Sequence, residues 1–186
     1  MNGIETNGIG GGKEMKEEME NSLNEINQIE SLVKKAIDRL LDDDGDLLRN
    51  DVNERSITHR LACYLQELFS EWNVDCEYNR NHDKTKKLLT YKGKKVGIDD
   101  TKGTTVFPDI IVHKRMSKEN LLVIEVKKTT NTEPNDFDID KLTAFKKELH
   151  YKHALFLRLK AGTDGIGVEK SEWVCKCSAH NEKFWF

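Results

Sequence analysis

The run Leu121-Leu122-Val123-Ile124-Glu125-Val126 constrains the fold more than any other stretch of this chain. Its single polar member spoils the in-out alternation of a half-exposed strand, and the run is far too short to cross a membrane as a helix. A run of this kind reads as a central strand covered on both faces, in a sheet with helices packed against it. Glu125 interrupts it, and Lys127 and Lys128 follow. Side chains alternate faces along a strand, so Glu125 and Lys127 project from one face and Val126 from the other. Carboxylates are rarely buried without a partner or a metal, so this strand end is the first place to look for chemistry.

Other elements assemble around that strand. Residues 1–13 are rich in Gly and Asn and read as a flexible N-terminus. Residues 14–51 read as a helical extension. Met15, Met19, Leu23, Ile26, Ile29, Val33, Ile37 and Leu40 recur in steps of three and four and form one apolar stripe between Lys13 and Leu41. Gly45, after Asp42-Asp43-Asp44, is expected to cap it in the left-handed conformation. Within the stripe, Met19, Ile26, Val33 and Leu40 are seven apart, the spacing of a coiled-coil seam. The seam allows a homodimer; the other reading packs the stripe back on its own domain. Residues 52–186 read as one α/β domain. A second helix runs from Val52 to Trp72, with Asn53 as N-cap and Glu54 in the first turn. Strands follow at 74–78, 107–113, 121–126 and 154–159, with a helix from Ile139 to Leu149 before the last. A small hairpin is expected within 88–96, and the aromatic C-terminus, 172–186, is read as an edge strand.

Charge and cysteine usage narrow the function classes. Residues 1–51 carry 13 acidic and 6 basic side chains, a net of −7, whereas residues 80–102 carry 8 basic and 3 acidic, a net of +5. The acidic front makes a poor nucleic-acid contact, and the basic middle can track a phosphate backbone or be a solvated loop. The four cysteines lack paired metal-ligand spacing and read as reduced thiols of a cytoplasmic protein. No apolar run suits a membrane partner, and the first residues have neither the basic nor the apolar region of a secretory leader. None of the histidines shows ligand spacing, although His59 lies just over one turn beyond Glu54 and could approach the same place.

A carboxylate beside an amine at a strand end suits hydrolysis. The carboxylate can hold a hard cation, and the amine can steady an attacking water and developing negative charge. Asp109 follows Pro108 at the head of the preceding apolar strand, sixteen residues before Glu125, and a hairpin of that length sets the two side by side. Pro108-Asp109, then Glu125-Val126-Lys127, with a helix bearing Glu54 ahead of both, resembles the PD-(D/E)xK nuclease superfamily and looks close to its short, uncharacterised prokaryotic members. The resemblance spans roughly residues 52–160. It implies a restriction-endonuclease-like fold, a mixed β-sheet flanked by α-helices with the motif on two neighbouring strands. It further implies that Asp109, Glu125 and the Val126 carbonyl hold Mg²⁺, with Mn²⁺ as a substitute. Glu54 would assist directly or through water, and Lys127 would be the catalytic lysine. Lys141, and beside the motif Lys128, would contact phosphate. The function so implied is metal-dependent hydrolysis of phosphodiester bonds in nucleic acid, DNA in the first instance. The competing expectation is a binding or interaction module of the same fold without turnover. The same E-x-K tripeptide occurs at Glu14-Met15-Lys16 on a polar helix face, so context carries the signal and the tripeptide does not.

Overall fold

The structure, a computed structural model, describes residues 11–78, 80–81, 84–85, 87–88, 104–163 and 165–174. The first ten residues, the hairpin expected within 88–96, most of the basic stretch from Lys84 to Lys102, and Cys175 and Cys177 lie outside the described residues. Four helices, α1 (Gly11–Asp43), α2 (Gly45–Arg49), α3 (Glu54–Leu68) and α4 (Asp136–Glu148), surround one five-stranded sheet. Its strands are β1 (Asn73–Cys76), β6 (Ile110–His113), β7 (Asn120–Lys128), β8 (His153–Lys160) and β9 (Gly167–Trp173), hydrogen-bonded in that order. Between β1 and β6 lie two-residue ladders, β2 (Arg80–Asn81) with β3 (Lys84–Thr85) and β4 (Lys87–Leu88) with β5 (Thr104–Thr105). Among the described residues no helix is long and apolar enough to cross a membrane.

The apolar run of the sequence is the middle strand. Of the nine residues of β7, eight are buried. It runs antiparallel to β6 and parallel to β8, and β9 pairs antiparallel with β8, so the sheet is mixed. A parallel neighbour needs a crossover, and α4 provides it. Alternation then sorts the side chains. Leu122, Ile124 and Val126 join Ile110, Val112, Leu155 and Leu157 in a core against α1 and α3. Val123, Ile111 and Phe156 face the other way, against Leu142 and Phe145 of α4 and Tyr151. Glu125 and Lys127 share the parity of Val123 and therefore lie under α4.

Helix α1 divides into two halves. Ile29, Val33, Ala36, Ile37 and Leu40 are buried in the same core as the sheet, whereas Met19 and Leu23 are 74% and 58% exposed. The apolar stripe thus packs back on its own domain along its C-terminal half. Val33 and Leu40, two of the four seam positions, are unavailable to a partner helix. Asp44 latches this end to α3. Its carboxylate accepts hydrogen bonds from the Tyr64 hydroxyl at 2.5 Å and from Arg60 Nε at 2.7 Å. Gly45 is not a left-handed cap: it has no positive φ and opens α2. A Cβ there would stand 2.6 Å from Ile166 Cδ1, so a side chain at this position would have to displace that methyl group. Asn53 does cap α3, its side chain accepting from the Arg55 amide at 2.9 Å.

Substitution should separate the halves of α1. Leu40→Ala is expected to cost about 2–5 kcal/mol, the range for truncating a fully buried leucine. Met19→Ser should stay within about 0.5 kcal/mol, as an exposed position away from any cap or ion pair does. Urea denaturation of both variants checks this, and equal losses would contradict the division.

Candidate active site

The site is built by the crossover. β6 and β7 pair with Ile110 opposite Ile124, and one further step sets Asp109 opposite Glu125. Asp109 Oδ2 accepts a hydrogen bond from the Val126 amide at 2.8 Å, which pins the Pro108-Asp109 turn onto β7. From above, α4 lowers a charged pair onto the strand. Lys141 Nζ lies 2.7 Å from Glu125 Oε2 and also donates to the Phe107 carbonyl at 2.9 Å. One turn earlier, Asp138 accepts from Lys127 Nζ at 2.7 Å, and the Pro134 carbonyl accepts from the same ammonium at 3.1 Å. Residues three apart on a helix share a face, as residues two apart do on a strand, so Asp138 and Lys141 meet Lys127 and Glu125 as two crossed pairs.

Glu54 comes from the other side of the sheet. In the first turn of α3, its Oε2 accepts from the Lys128 amide at 2.9 Å, which caps the end of β7. It shares with Asp109 a cleft of about 330 Å³ lined also by Arg55, Thr58, Cys76 and Glu77. Asp109 therefore stands between two groups of charges, Glu54 in the cleft and Glu125 with Lys141 beneath α4. Lys128 turns away from both. Its ammonium is held by Asp51 Oδ1 at 2.6 Å and the Val52 carbonyl at 2.8 Å, tying the loop before α3 to the strand. His59 is exposed and nearest to Cys63, its Nε2 3.8 Å from Sγ, so it does not join the cleft. Cys63 and Cys76 are free thiols.

Electrostatically the site is short of positive charge. Burial pushes Glu125 up to about 8; Lys141 opposes the rise and the nearby Asp109 adds to it. Asp109 is pushed up to about 6, again chiefly by burial, with Lys141 and the Val126 amide opposing and Glu54 adding. One ammonium therefore fails to offset the desolvation of two neighbouring carboxylates. Glu125 Oε1, moreover, is buried with no hydrogen-bond partner among the described residues. An ionised oxygen left so costs several kcal/mol, more than most single contacts repay. A divalent cation fits this shortfall. Its usual ligands are hard oxygens, and Mg²⁺ commonly takes only one or two carboxylates, keeping waters for the rest. Among the described residues no group of three or more His, Cys, Asp or Glu stands in position to hold a metal ion. The side chains that fit are thus the pair Asp109 and Glu125.

Asp138 escaped the sequence reading, and Lys141 entered it only as a phosphate contact. The available signal was their i, i+3 spacing in the first two turns of α4, but its meaning depends on which strand lies beneath. The buried pair of His113 Nε2 and Asp75 Oδ2 at 2.8 Å, with Arg115 also on Asp75, was likewise illegible, since it joins β1 to the far end of β6. Comparison with family models, curated proteins and solved structures finds no match to this chain.

The raised carboxyls make stability depend on pH. The folded protein holds the Glu125 proton more tightly than the unfolded chain, whose carboxyl titrates near 4.5. The stabilisation is complete below that value and is lost as pH rises through about 8. Without metal, denaturant unfolding of the native chain should give a clearly lower stability at about pH 8.5 than at about pH 5. In Glu125→Gln the difference should shrink. An unchanged difference would remove this carboxyl as its source.

Proposed function

We propose that this chain is a divalent-metal-dependent phosphodiesterase of restriction-endonuclease-like fold, acting on nucleic acid and on DNA in the first instance. The observation that carries the reading is Glu125 Oε1, a buried acceptor without a hydrogen-bond partner among the described residues, at the same end of the sheet as Asp109 on the neighbouring strand. Asp109 and Glu125 would hold Mg²⁺ or Mn²⁺ with the Val126 carbonyl, and Glu54, facing Asp109 across the cleft, would reach it through water. When bound, such an ion polarises a phosphate oxygen as a Lewis acid. The rest falls to the chain. Lys127 lies on the face of Glu125, and its ammonium can orient a water by hydrogen bonding and stabilise charge that develops on phosphate. Asp138 and the Pro134 carbonyl accept hydrogen bonds from that ammonium and hold it at the strand end. The cleft between α3 and β1 gives a phosphodiester an approach to Asp109 that the packed α4 side does not.

A second reading, an interaction module without turnover, is favoured by a different observation. Lys127, Lys128 and Lys141 already have carboxylate partners in Asp138, Asp51 and Glu125. Such a network can serve only to fix α4 and the α3 loop on the sheet.

Labelled single- and double-stranded DNA and RNA, incubated with the protein and Mg²⁺ or Mn²⁺, separate the two. Cleavage is expected, and Asp109→Asn, Glu125→Gln and Lys127→Met should each lower its rate by about 10²-fold or more while leaving the circular-dichroism spectrum intact. Cleavage that survives all three substitutions would discard the site. Absence of Mn²⁺ binding dependent on Asp109 and Glu125 would favour the module.

A further inference from the structure

Lys141 stands where a cation is wanted. Its ammonium is within 2.7 Å of Glu125 Oε2, and the same charge acts on Asp109. It is delivered by a side chain only 15% exposed and steadied by the Phe107 carbonyl, two residues before Asp109. With both carboxyls ionised, two carboxylates and one ammonium sum to −1; with a divalent ion added they sum to +1. A divalent ion close enough to bind Glu125 lies close to Lys141, and like charges at that separation repel strongly. From this juxtaposition we propose that Lys141 is a tethered counter-ion which competes with the divalent cation for Glu125. The inference rests on the metal-dependent reading above and concerns how that same site is regulated. In the metal-free protein the ammonium supplies part of the missing positive charge and holds α4 down on the strand. Metal loosens it from Glu125 and leaves a positive side chain beside the metal, charged to attract a phosphodiester. Lys127 is not the competitor, because its ammonium is committed to Asp138 and the Pro134 carbonyl.

Calorimetric titration with Mn²⁺ alone, without nucleic acid, tests the competition. Lys141→Gln should bind Mn²⁺ roughly ten-fold more tightly than the native chain, the least expected from removing a unit charge about 5 Å from a divalent ion even under water-like screening. Lys141→Arg, which keeps the charge, should stay near the native affinity. A second measurement needs no variant. Acetylation of the native protein with an N-hydroxysuccinimide ester, read by mass spectrometry, should label Lys141 faster once Mn²⁺ is saturating, while Lys128 labelling stays constant. Native binding that depends on Asp109 and Glu125, with Lys141→Gln no tighter and Lys141 labelling unchanged, overturns this inference and leaves the metal reading standing. If Mn²⁺ binds neither the native chain nor Lys141→Gln, or binds without regard to Asp109 and Glu125, both are overturned.

Discussion

The carboxylate of Glu125 lies at 3% exposure in the middle strand of the sheet, and the arrangement around it follows from that burial. A charge in such a place must be neutralised by a proton, an ammonium or a metal ion. Two of these neutralisers are evident around Glu125. The proton shows in the raised affinity of the carboxyl, and the ammonium is Lys141. Oε1 has no hydrogen-bond partner among the described residues. An apolar residue at this position would give β7 an uninterrupted core and make the α4 charges pointless. That the chain carries Glu here, and spends a helix face on it, is the physical case for reading the strand end as a site.

The crossover helix has two tasks that depend on each other. Leu142 and Phe145 seal one face of the sheet, and Asp138 and Lys141 lie over the charged end of β7. Packing sets the register of the helix on the strand to within a fraction of a turn, because a buried phenylalanine fits few places. That register in turn decides which lysine meets which carboxylate. Helix α3 plays the corresponding part on the opposite face. Ile57, Leu61 and Leu65 are buried, and Glu54, in the first turn, is left at the sheet's edge, where it satisfies the Lys128 amide. The cleft between α3 and β1 then exposes Asp109 from one side while Glu125 stays covered from the other.

Much of the fold was legible because local pattern and tertiary role coincide. The 121–126 run is the middle strand, Asn53 caps α3, and the sheet is mixed with helices on both faces. The Gly45 cap failed, and the open choice for α1 was decided, for identifiable reasons. Gly45 was read from its place after an acidic helix end, but it has no positive φ and opens α2 instead of capping α1. The heptad of α1 left a seam and back-packing both open, because periodicity reports which residues share a face and not what that face meets. Val33 and Leu40 meet the sheet, whereas Met19, on the same stripe, meets solvent.

By itself, then, the sequence determined the strand that must lie at the centre, the parity that sends Glu125 and Lys127 to one face, and the proximity of Asp109 through a short hairpin. These follow from alternation and chain length, which act over a few residues. The tertiary structure alone decided that Lys141, sixteen residues beyond Glu125, pairs with it, that Lys127 turns to Asp138, and that Lys128 is taken by Asp51. Each of those pairings joins two elements whose relative placement is set by packing summed over the whole core. No local pattern of charged residues encodes that sum, since a lysine at a given spacing can reach any carboxylate that the fold brings within its arm.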